Sequence, residues 1–301
     1  MNWRNLRRVP TLTQASVLNF NFQMSQTDLS YLNVAGYKFV DLDESAIRGM
    51  RYPIRDTCRS LGIRGTIILS VEGINAVLSG LERDVRSAID HLRAIPAFSD
   101  LHFKESWSSH VAFTRMLVKV KREIISTGIE GLRPPLMSAP YIKPTELKRW
   151  YDEGRDFVIL DTRNNYEVEV GTFQRAMHLD IDDFRSFPTA LDQLDQEIRG
   201  RPVVTFCTGG IRCEKAAPLM LDRGFSEVYQ LEGGILEYFE QLGGQYYDGE
   251  CFVFDQRVAV DGDLKETETT QCFACQHPLT PEDQRSSLYV VGRQCPHCAR
   301  Q

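Results

Sequence analysis

The stretch Val203–Ala217, VVTFCTGGIRCEKAA, decides the reading of this chain. Four apolar or β-branched residues form a buried strand that ends at Cys207. The pair Gly209-Gly210 then lets the backbone curl, and a helix begins near Glu214. In such a loop successive N–H groups converge on one point, and the helix N-terminus adds partial positive charge. Arg212 supplies a fixed cation. These features stabilise a thiolate, so Cys207 is expected to have a lowered pKa and to be nucleophilic. A structural cysteine at a strand end is the alternative. An apolar slot, however, does not need two glycines and an arginine around its sulfur.

Around this loop, short apolar strands at Phe157–Leu160, Val203–Phe206 and Val228–Tyr229 alternate with helical stretches at Thr145–Glu153, Asp192–Arg199 and Glu214–Arg223. That alternation predicts a parallel α/β sheet. Upstream, Leu132–Pro144 carries Pro134, Pro135, Pro140 and Pro144, which makes it the expected domain boundary. Before it come a strand at Tyr37–Leu42, a helix capped by Asp43 and interrupted by Pro53, a strand at Gly65–Val71 and a turn at Glu72–Asn75. A returning strand at Ala76–Leu78, a helix at Leu81–Ile95, a short strand near Leu101–Lys104 and a longer one at Met116–Ile125 follow. This β-α-β-β-α-β order matches a ferredoxin-like α+β sandwich. The expected organisation is an extension over 1–27, a ferredoxin-like domain over 28–131, a parallel α/β domain over 145–244 and a cysteine-rich segment over 245–301.

Of the 301 residues 42% are apolar and 25% charged, the balance of a water-soluble globular protein. No apolar run reaches the length of a transmembrane helix, and no low-complexity tract or solenoid repeat is present. Through Pro140 there are 18 Lys and Arg against 13 Asp and Glu, and beyond it 17 against 28. A basic front half suits a polyanionic ligand held at one end. Residues 1–27 hold Arg4, Arg7 and Arg8 but no apolar signal core, so they are read as a disordered or mis-started extension, with Met24 a candidate initiator and a cytoplasmic location. An Arg-rich transit peptide is the alternative.

Cys272-x-x-Cys275 and Cys295-x-x-Cys298 are separated by 19 residues. That is the spacing of a four-thiolate zinc site, structural because no coordination position remains open. His277 and His297 become spare, and two disulfides would require an exported protein. Zinc knuckles also occur in RNA-binding proteins. Cys251, between aromatic residues, and Cys58 are read as packing cysteines.

The loop CTGGIR resembles the C-x-x-G-x-R active-site loop of rhodanese domains. Leu160-Asp161-Thr162-Arg163 is similar to their L-D-x-R strand end, and Tyr166-Glu167 with Gly171 and Ala176 to their E-x-x-x-G-x-x-x-x-A. Leu231–Ile235, LEGGI, is similar to their closing segment. The resemblance implies a persulfide-carrying Cys207, an anion-binding Arg212, loop residues Thr208, Gly209, Gly210 and Ile211, and supporting Asp161 and Arg163. Thr172 departs from the frequent histidine. Cys213 departs from the frequent serine or threonine and opens the possibility of a resolving thiol. Four residues separate Cys207 from Arg212, one fewer than in the related dual-specificity phosphatases, which disfavours phosphatase chemistry.

Together with VEGIN (Val71–Asn75) and GECFVFDQRVAV (Gly249–Val260), the whole chain resembles the rhodanese-domain tRNA uridine(34) hydroxylases. The resemblance implies oxygen-dependent formation of 5-hydroxyuridine at the wobble position of the tRNA anticodon loop, with Cys207 essential. Dioxygen and an electron donor that the sequence does not identify would be partners, with no membrane involved. No organic redox cofactor is expected, because neither a dinucleotide glycine fingerprint nor a His/carboxylate iron triad is visible. A sulfurtransferase working through a Cys207 persulfide is the alternative, and a non-enzymatic binding module a third reading. Within the resemblance, Arg115, Lys119, Lys121 and Arg122 near one strand, with His110 upstream, become a candidate tRNA surface. So do Arg48, Arg51, Arg55 and Arg59 beside Tyr52.

Overall fold

The computed structural model describes residues 30–129, 132, 134 and 139–299. The expected extension over 1–27, with Met24, and part of the proline-rich boundary lie outside the described residues.

The N-terminal unit runs β1 (Tyr31–Phe39), α1 (Glu44–Ser60), β2 (Arg64–Ser70), β3 (Gly73–Leu81), α2 (Glu82–Arg93), β4 (Lys104–Ser108) and β5 (Met116–Val120). Its sheet has the order β4-β1-β3-β2-β5. The first four strands pair antiparallel, as a ferredoxin-like sandwich requires, and β5 adds a fifth strand parallel to β2. Alternation along each strand divides the side chains between two faces. Leu32, Val34, Ile67 and Leu69 face the helices, packing with Ile47, Ile54 and Cys58 of α1 and with Val85, Ile89 and Leu92 of α2. Asn33, Tyr37, Thr66 and Ile68 occupy the opposite, helix-free face.

The second sheet follows through β6 (Tyr141–Ile142), α3 (Pro144–Asp152), β7 (Val158–Asp161), α4 (Asn165–Val168), β8 (Gly171–Phe173), β9 (Met177–His178), α5 (Phe187–Asp192), α6 (Gln196–Arg199), β10 (Pro202–Phe206), α7 (Cys213–Asp222), β11 (Glu227–Leu231) and α8 (Gly234–Leu242). Its order is β6-β11-β10-β7-β9, with every pairing parallel. Both faces are covered, which is why β10 reads as an unbroken apolar run. Val203 packs in one core with Leu191 and Met220, and Val204 in the other with Leu147 and Tyr238.

Beyond α8 the chain does not detach. Strand β12 (Tyr247–Gly249) pairs with β8, then β13 (Cys251–Phe252) pairs with β14 (Ala259–Val260) and β15 (Thr270–Gln271) with β16 (Pro278–Leu279), before α9 (Pro281–Arg285).

Several element limits differ from expectation. β1 starts at Tyr31 rather than Tyr37, because it is a central strand paired on both sides from Tyr31 onward. The turn after β2 is only Val71-Glu72, and β3 extends over Gly73–Leu81, matching the register of β1. The short strand falls at Lys104–Ser108, and Met116–Ile125 is strand only to Val120. α1 runs through Pro53 from a start at Asp43, whose Oδ1 accepts the Ala46 N–H at 2.8 Å. Of the helix expected over Asp192–Arg199 only Gln196–Arg199 forms a helix of its own, with its N-cap at Asp195, because α5 over Phe187–Asp192 ends where that helix was expected to begin.

Candidate active site

Strand β10 delivers Cys207 to the C-terminal edge of the parallel sheet, and the turn before α8 clasps its loop. The Ile235 N–H donates to the Cys207 carbonyl at 3.0 Å and the Leu236 N–H to that of Thr208 at 3.1 Å. This clasp depends on Gly234, whose φ is +67° and whose substitution would put a Cβ 2.4 Å from the Cys207 carbonyl oxygen. Gly210, at φ +95°, turns its N–H onto the Cys207 sulfur at 3.1 Å. The two glycines of the loop thus serve different ends, since Gly209 has open space around it.

Burial raises the pKa of Cys207, but a hydrogen bond with Cys213, the charge of Arg212 and the N–H groups of Arg212 and Gly210 outweigh it. The thiol is lowered to about 6. Cys213 moves the other way, pushed well up by burial and then by Cys207, and its sulfur lies 3.9 Å from Thr162 Oγ1. The pair therefore rests as one thiolate and one thiol. Arg212 is itself held by Glu167 at 2.8 Å, with both side chains buried. Its guanidinium is an organiser of the loop with its charge already balanced.

Asp161 and Arg163 sit one layer beneath, outside the cavity and fully buried. Arg163 donates to both Asp161 oxygens, at 2.9 and 3.1 Å from Nε and 2.6 Å from a terminal nitrogen, and to the Gly171 carbonyl at 2.6 Å. Thr172, at the position where rhodanese domains frequently carry histidine, donates to the same carboxylate at 2.8 Å. This network braces the strand end.

Above Cys207 opens a cavity of about 1010 Å³ between the helix-free face of the N-terminal sheet, the loop and the segment Val253–Arg257. Thr208, Gly209, Ile211 and Arg212 line it from below. Tyr37 and Lys104 line it from the N-terminal sheet, with Lys121 and Arg122 at an exposed edge. Tyr37 donates to Glu214 at 2.9 Å, and Tyr141 donates to the same carboxyl group at 2.8 Å. Burial raises the pKa of Glu214 against those two hydrogen bonds. Phe254, 52% exposed, presents its ring beside Arg212, whose guanidinium carbon is 5.5 Å from the ring centroid. The site thus combines a thiolate floor with aromatic and cationic walls, suited to a planar, anionic, nucleotide-sized ligand.

The four tail cysteines come together, with all four sulfurs within 4.8 Å of one another. Cys275 and Cys295 are 3.6 Å apart, and Cys295 and Cys298 3.7 Å. A zinc–sulfur bond of about 2.3 Å gives sulfurs about 3.8 Å apart at the corners of a tetrahedron. The cluster can therefore hold a thiophilic metal ion. His277 and His297 are stacked on each other at 3.7 Å, outside it, and His277 Nε2 lies 2.7 Å from Glu169 of the rhodanese-like part. Cys251 and Cys58 are core cysteines, pushed up by burial to about 12 and about 11.

Not every expected group reaches the cavity. The Arg48, Arg51, Arg55 and Arg59 stripe lies on α1, across the sheet from it. There Arg48 pairs with Glu44, Arg55 with Asp56, and Arg51 and Arg55 flank the Tyr52 ring. Conversely, the sequence left Tyr37, Lys104, Glu214 and Phe254 unmarked. Their one signal is alternation, which puts Tyr37 on the same face as Asn33.

The comparisons with known proteins first define the class. The UPF0176 acylphosphatase like domain matches residues 31–124 and the Rhodanese-like domain matches residues 143–241. Among solved structures, the rhodanese-like domain of an Anabaena protein is similar over 36% of this chain and 79% of that one, at 25% identity and a TM-score of 0.31. The tRNA uridine(34) hydroxylase of Cupriavidus necator is 48% identical over 275 residues, 90% of this chain and 97% of that protein. The Burkholderia cenocepacia protein of the same name is 47% identical over 281 residues, 90% of this chain and 98% of its own. The chain belongs to the tRNA uridine(34) hydroxylase family.

Proposed function

We propose that this protein hydroxylates uridine 34 of tRNA to 5-hydroxyuridine, taking one oxygen atom from dioxygen while a two-electron donor reduces the other to water, with Cys207 as the essential thiolate and Arg212 as the organiser of its loop. The observation that carries this reading is the cavity of about 1010 Å³, in which one wall is supplied by the N-terminal sheet and the floor by Cys207. Small-molecule sites run from about 300 to about 1,000 Å³, so a whole nucleotide with a flanking phosphate fits. An anticodon base is single-stranded and enters such a pocket at little unstacking cost. A sulfurtransferase with a small inorganic donor would need only the loop and would leave the Tyr37 and Lys104 wall without a purpose.

In this reading the Gly210 N–H and Arg212 hold the sulfur charged, while Lys121 and Arg122 at the edge take backbone phosphates. The tail cysteines Cys272, Cys275, Cys295 and Cys298 hold structural zinc, which folds the tail and leaves no ligand position for substrate. A tRNA substrate places the protein in the cytoplasm. Among the described residues no helix is long and apolar enough to cross a membrane.

The test is incubation of unmodified tRNA with the purified protein in air and an added two-electron reductant, followed by mass analysis of its nucleosides. Formation of 5-hydroxyuridine by the native protein and its absence with Cys207→Ser support the assignment. Equal product from both proteins, or thiolated uridine in place of the hydroxylated one, contradicts it.

A further inference from the structure

The cations around the cavity are not equivalent. Arg212 is neutralised by Glu167 at 2.8 Å and Arg257 by Asp255 at 2.6 Å. Lys215, on the helix that follows the loop, is neutralised by Glu72 and Glu123. Lys121, Arg122 and Arg185 are exposed at the edge. Lys104 alone is half-buried with a side chain that, among the described residues, makes no hydrogen bond or ion pair.

Its Nζ lies 5.7 Å from the Tyr37 ring centroid, within cation–π range, and its Cε is near Gly233, where a Cβ would stand 3.0 Å from it. Burial lowers its pKa, while the charges of Glu237, Cys207 and Glu214 act to keep it protonated. Among the described residues this cation has no carboxylate within ion-pair distance, and it lines the same cavity as Cys207.

Resting on the uridine reading above, we propose that the Cys207 sulfur adds to C6 of the bound uracil while the Lys104 ammonium takes the negative charge that develops on O4. The C5=C6 bond of uracil is conjugated with the C4 carbonyl. A sulfur lone pair forms the S–C6 bond, the C5=C6 pair moves into C4–C5, and the carbonyl pair moves onto O4. The enolate charge therefore forms on an oxygen, where a positioned ammonium stabilises it more than it stabilises the neutral base.

C5, an indifferent carbon in free uridine, becomes nucleophilic, which is what a hydroxylation at that carbon needs. The step reverses without any oxidant. Water protonates C5, either C5 hydrogen is then lost, and the C6–S bond breaks to return the thiolate to the Gly210 N–H. Lys104 is thus assigned as a substrate-contacting residue contributed by the N-terminal sheet, and the rhodanese-like loop works as a carbon nucleophile.

The addition is tested apart from hydroxylation by incubating tRNA with the full-length protein in heavy water without dioxygen and measuring deuterium at C5 of uridine 34. A parallel incubation in air with an added two-electron reductant measures 5-hydroxyuridine. The native protein should exchange that hydrogen and Cys207→Ser should not. Lys104→Met should slow the exchange about a hundredfold, the scale of losing one oxyanion partner. Its affinity for tRNA should be nearly unchanged, and Lys104→Arg should recover part of the rate.

Production of 5-hydroxyuridine in air by a protein that exchanges nothing in its absence overturns the addition and leaves the hydroxylase assignment standing. Exchange without 5-hydroxyuridine in air supports the addition and overturns the hydroxylase assignment. Unchanged exchange in Lys104→Met overturns the role of Lys104.

Discussion

Lys215 Nζ and the carboxylate of Glu123 meet at 2.7 Å across the seam between the two sheets, and the lysine side chain is only 1% exposed. Glu72, from the β2–β3 turn, reaches the same ammonium at 2.9 Å. Lys215 sits on α7, two residues after Cys213, so this triad fixes the N-terminal sheet against the helix that begins at the Cys207 loop. Glu72 also accepts the Ile124 N–H at 2.6 Å, and Glu123 accepts those of Thr127 and Gly128 at 3.0 and 3.1 Å. The cavity exists because these two surfaces are held in register.

Lys215→Met should leave two carboxylates facing each other without a counter-charge. Breaking a buried ion pair from one side costs about 3–5 kcal/mol, so denaturant unfolding should show a loss of that order. Adding Glu72→Gln and Glu123→Gln should restore much of it. Burial raises the Glu123 pKa, but the Lys215 ammonium and the Thr127 and Gly128 N–H groups bring it below its ordinary value. Its contribution to stability is therefore present above the usual glutamate range and lost as pH falls through the depressed value. That acid-side loss should be absent in Lys215→Met.

The rate of Cys207 alkylation by iodoacetamide should rise with pH through an inflection near 6, the value to which its surroundings lower the thiol. Cys213→Ala removes one of the hydrogen bonds that favour the thiolate, and Arg212→Gln removes its nearest charge. Both variants should move the inflection upward, read by mass spectrometry of the modified peptide. An inflection that stays in place would show that the backbone N–H groups alone set it.

Thr172→Val should destabilise the rhodanese-like part by about 1–2 kcal/mol, because it strips one donor from a fully buried carboxylate. The Thr172 hydroxyl donates to Asp161 at 2.8 Å, alongside Arg163. Thermal unfolding measures the loss. The Cys207 alkylation profile should keep its inflection, since Asp161 lies below the cavity.

What the sequence showed plainly is what depends on near neighbours along the chain. The loop at Cys207 was legible because its strand, its glycines and its arginine all lie within ten residues. The parallel sheet was legible because β7 and β10 are buried on both faces and read as apolar runs, and because Val228-Tyr229 marks the centre of β11. The two CxxC pairs were legible from spacing alone.

The start of β1 was missed because Tyr31–Gly36 mixes Asn33 and Gly36 into an apolar run. Its strand character comes from pairing with β3 and β4, far along the chain. Tyr37–Glu214 and Lys215–Glu72 span 177 and 143 residues. Contacts of that range join two separately folded surfaces, and no local periodicity marks them. The resemblance implies an anion-binding Arg212; what it does not carry is the buried Glu167 carboxylate 2.8 Å from that guanidinium, a contact across distant parts of the chain that no local periodicity marks.

Chelation should unfold the tail selectively. With the proposed zinc at Cys272, Cys275, Cys295 and Cys298, its removal should expose those thiols to Ellman's reagent while Cys58 and Cys251, in the cores, stay protected. Cys295→Ser should lower the bound metal measured by elemental mass spectrometry. The two cores of the second sheet should persist, because neither contains a residue of β15, β16 or α9, the elements around the cluster.

The central claim is that Cys207 governs transfer of oxygen from dioxygen to a tRNA uridine. The most direct measurement is exact-mass analysis of nucleosides from tRNA incubated with the protein under heavy-oxygen gas. Exact mass is needed because gaining one oxygen and exchanging oxygen for sulfur change the nominal mass equally. The account predicts a uridine derivative carrying the heavy isotope, formed by the native protein and absent with Cys207→Ser. A thiolated uridine, or a hydroxylated one with its oxygen drawn from water, would contradict it.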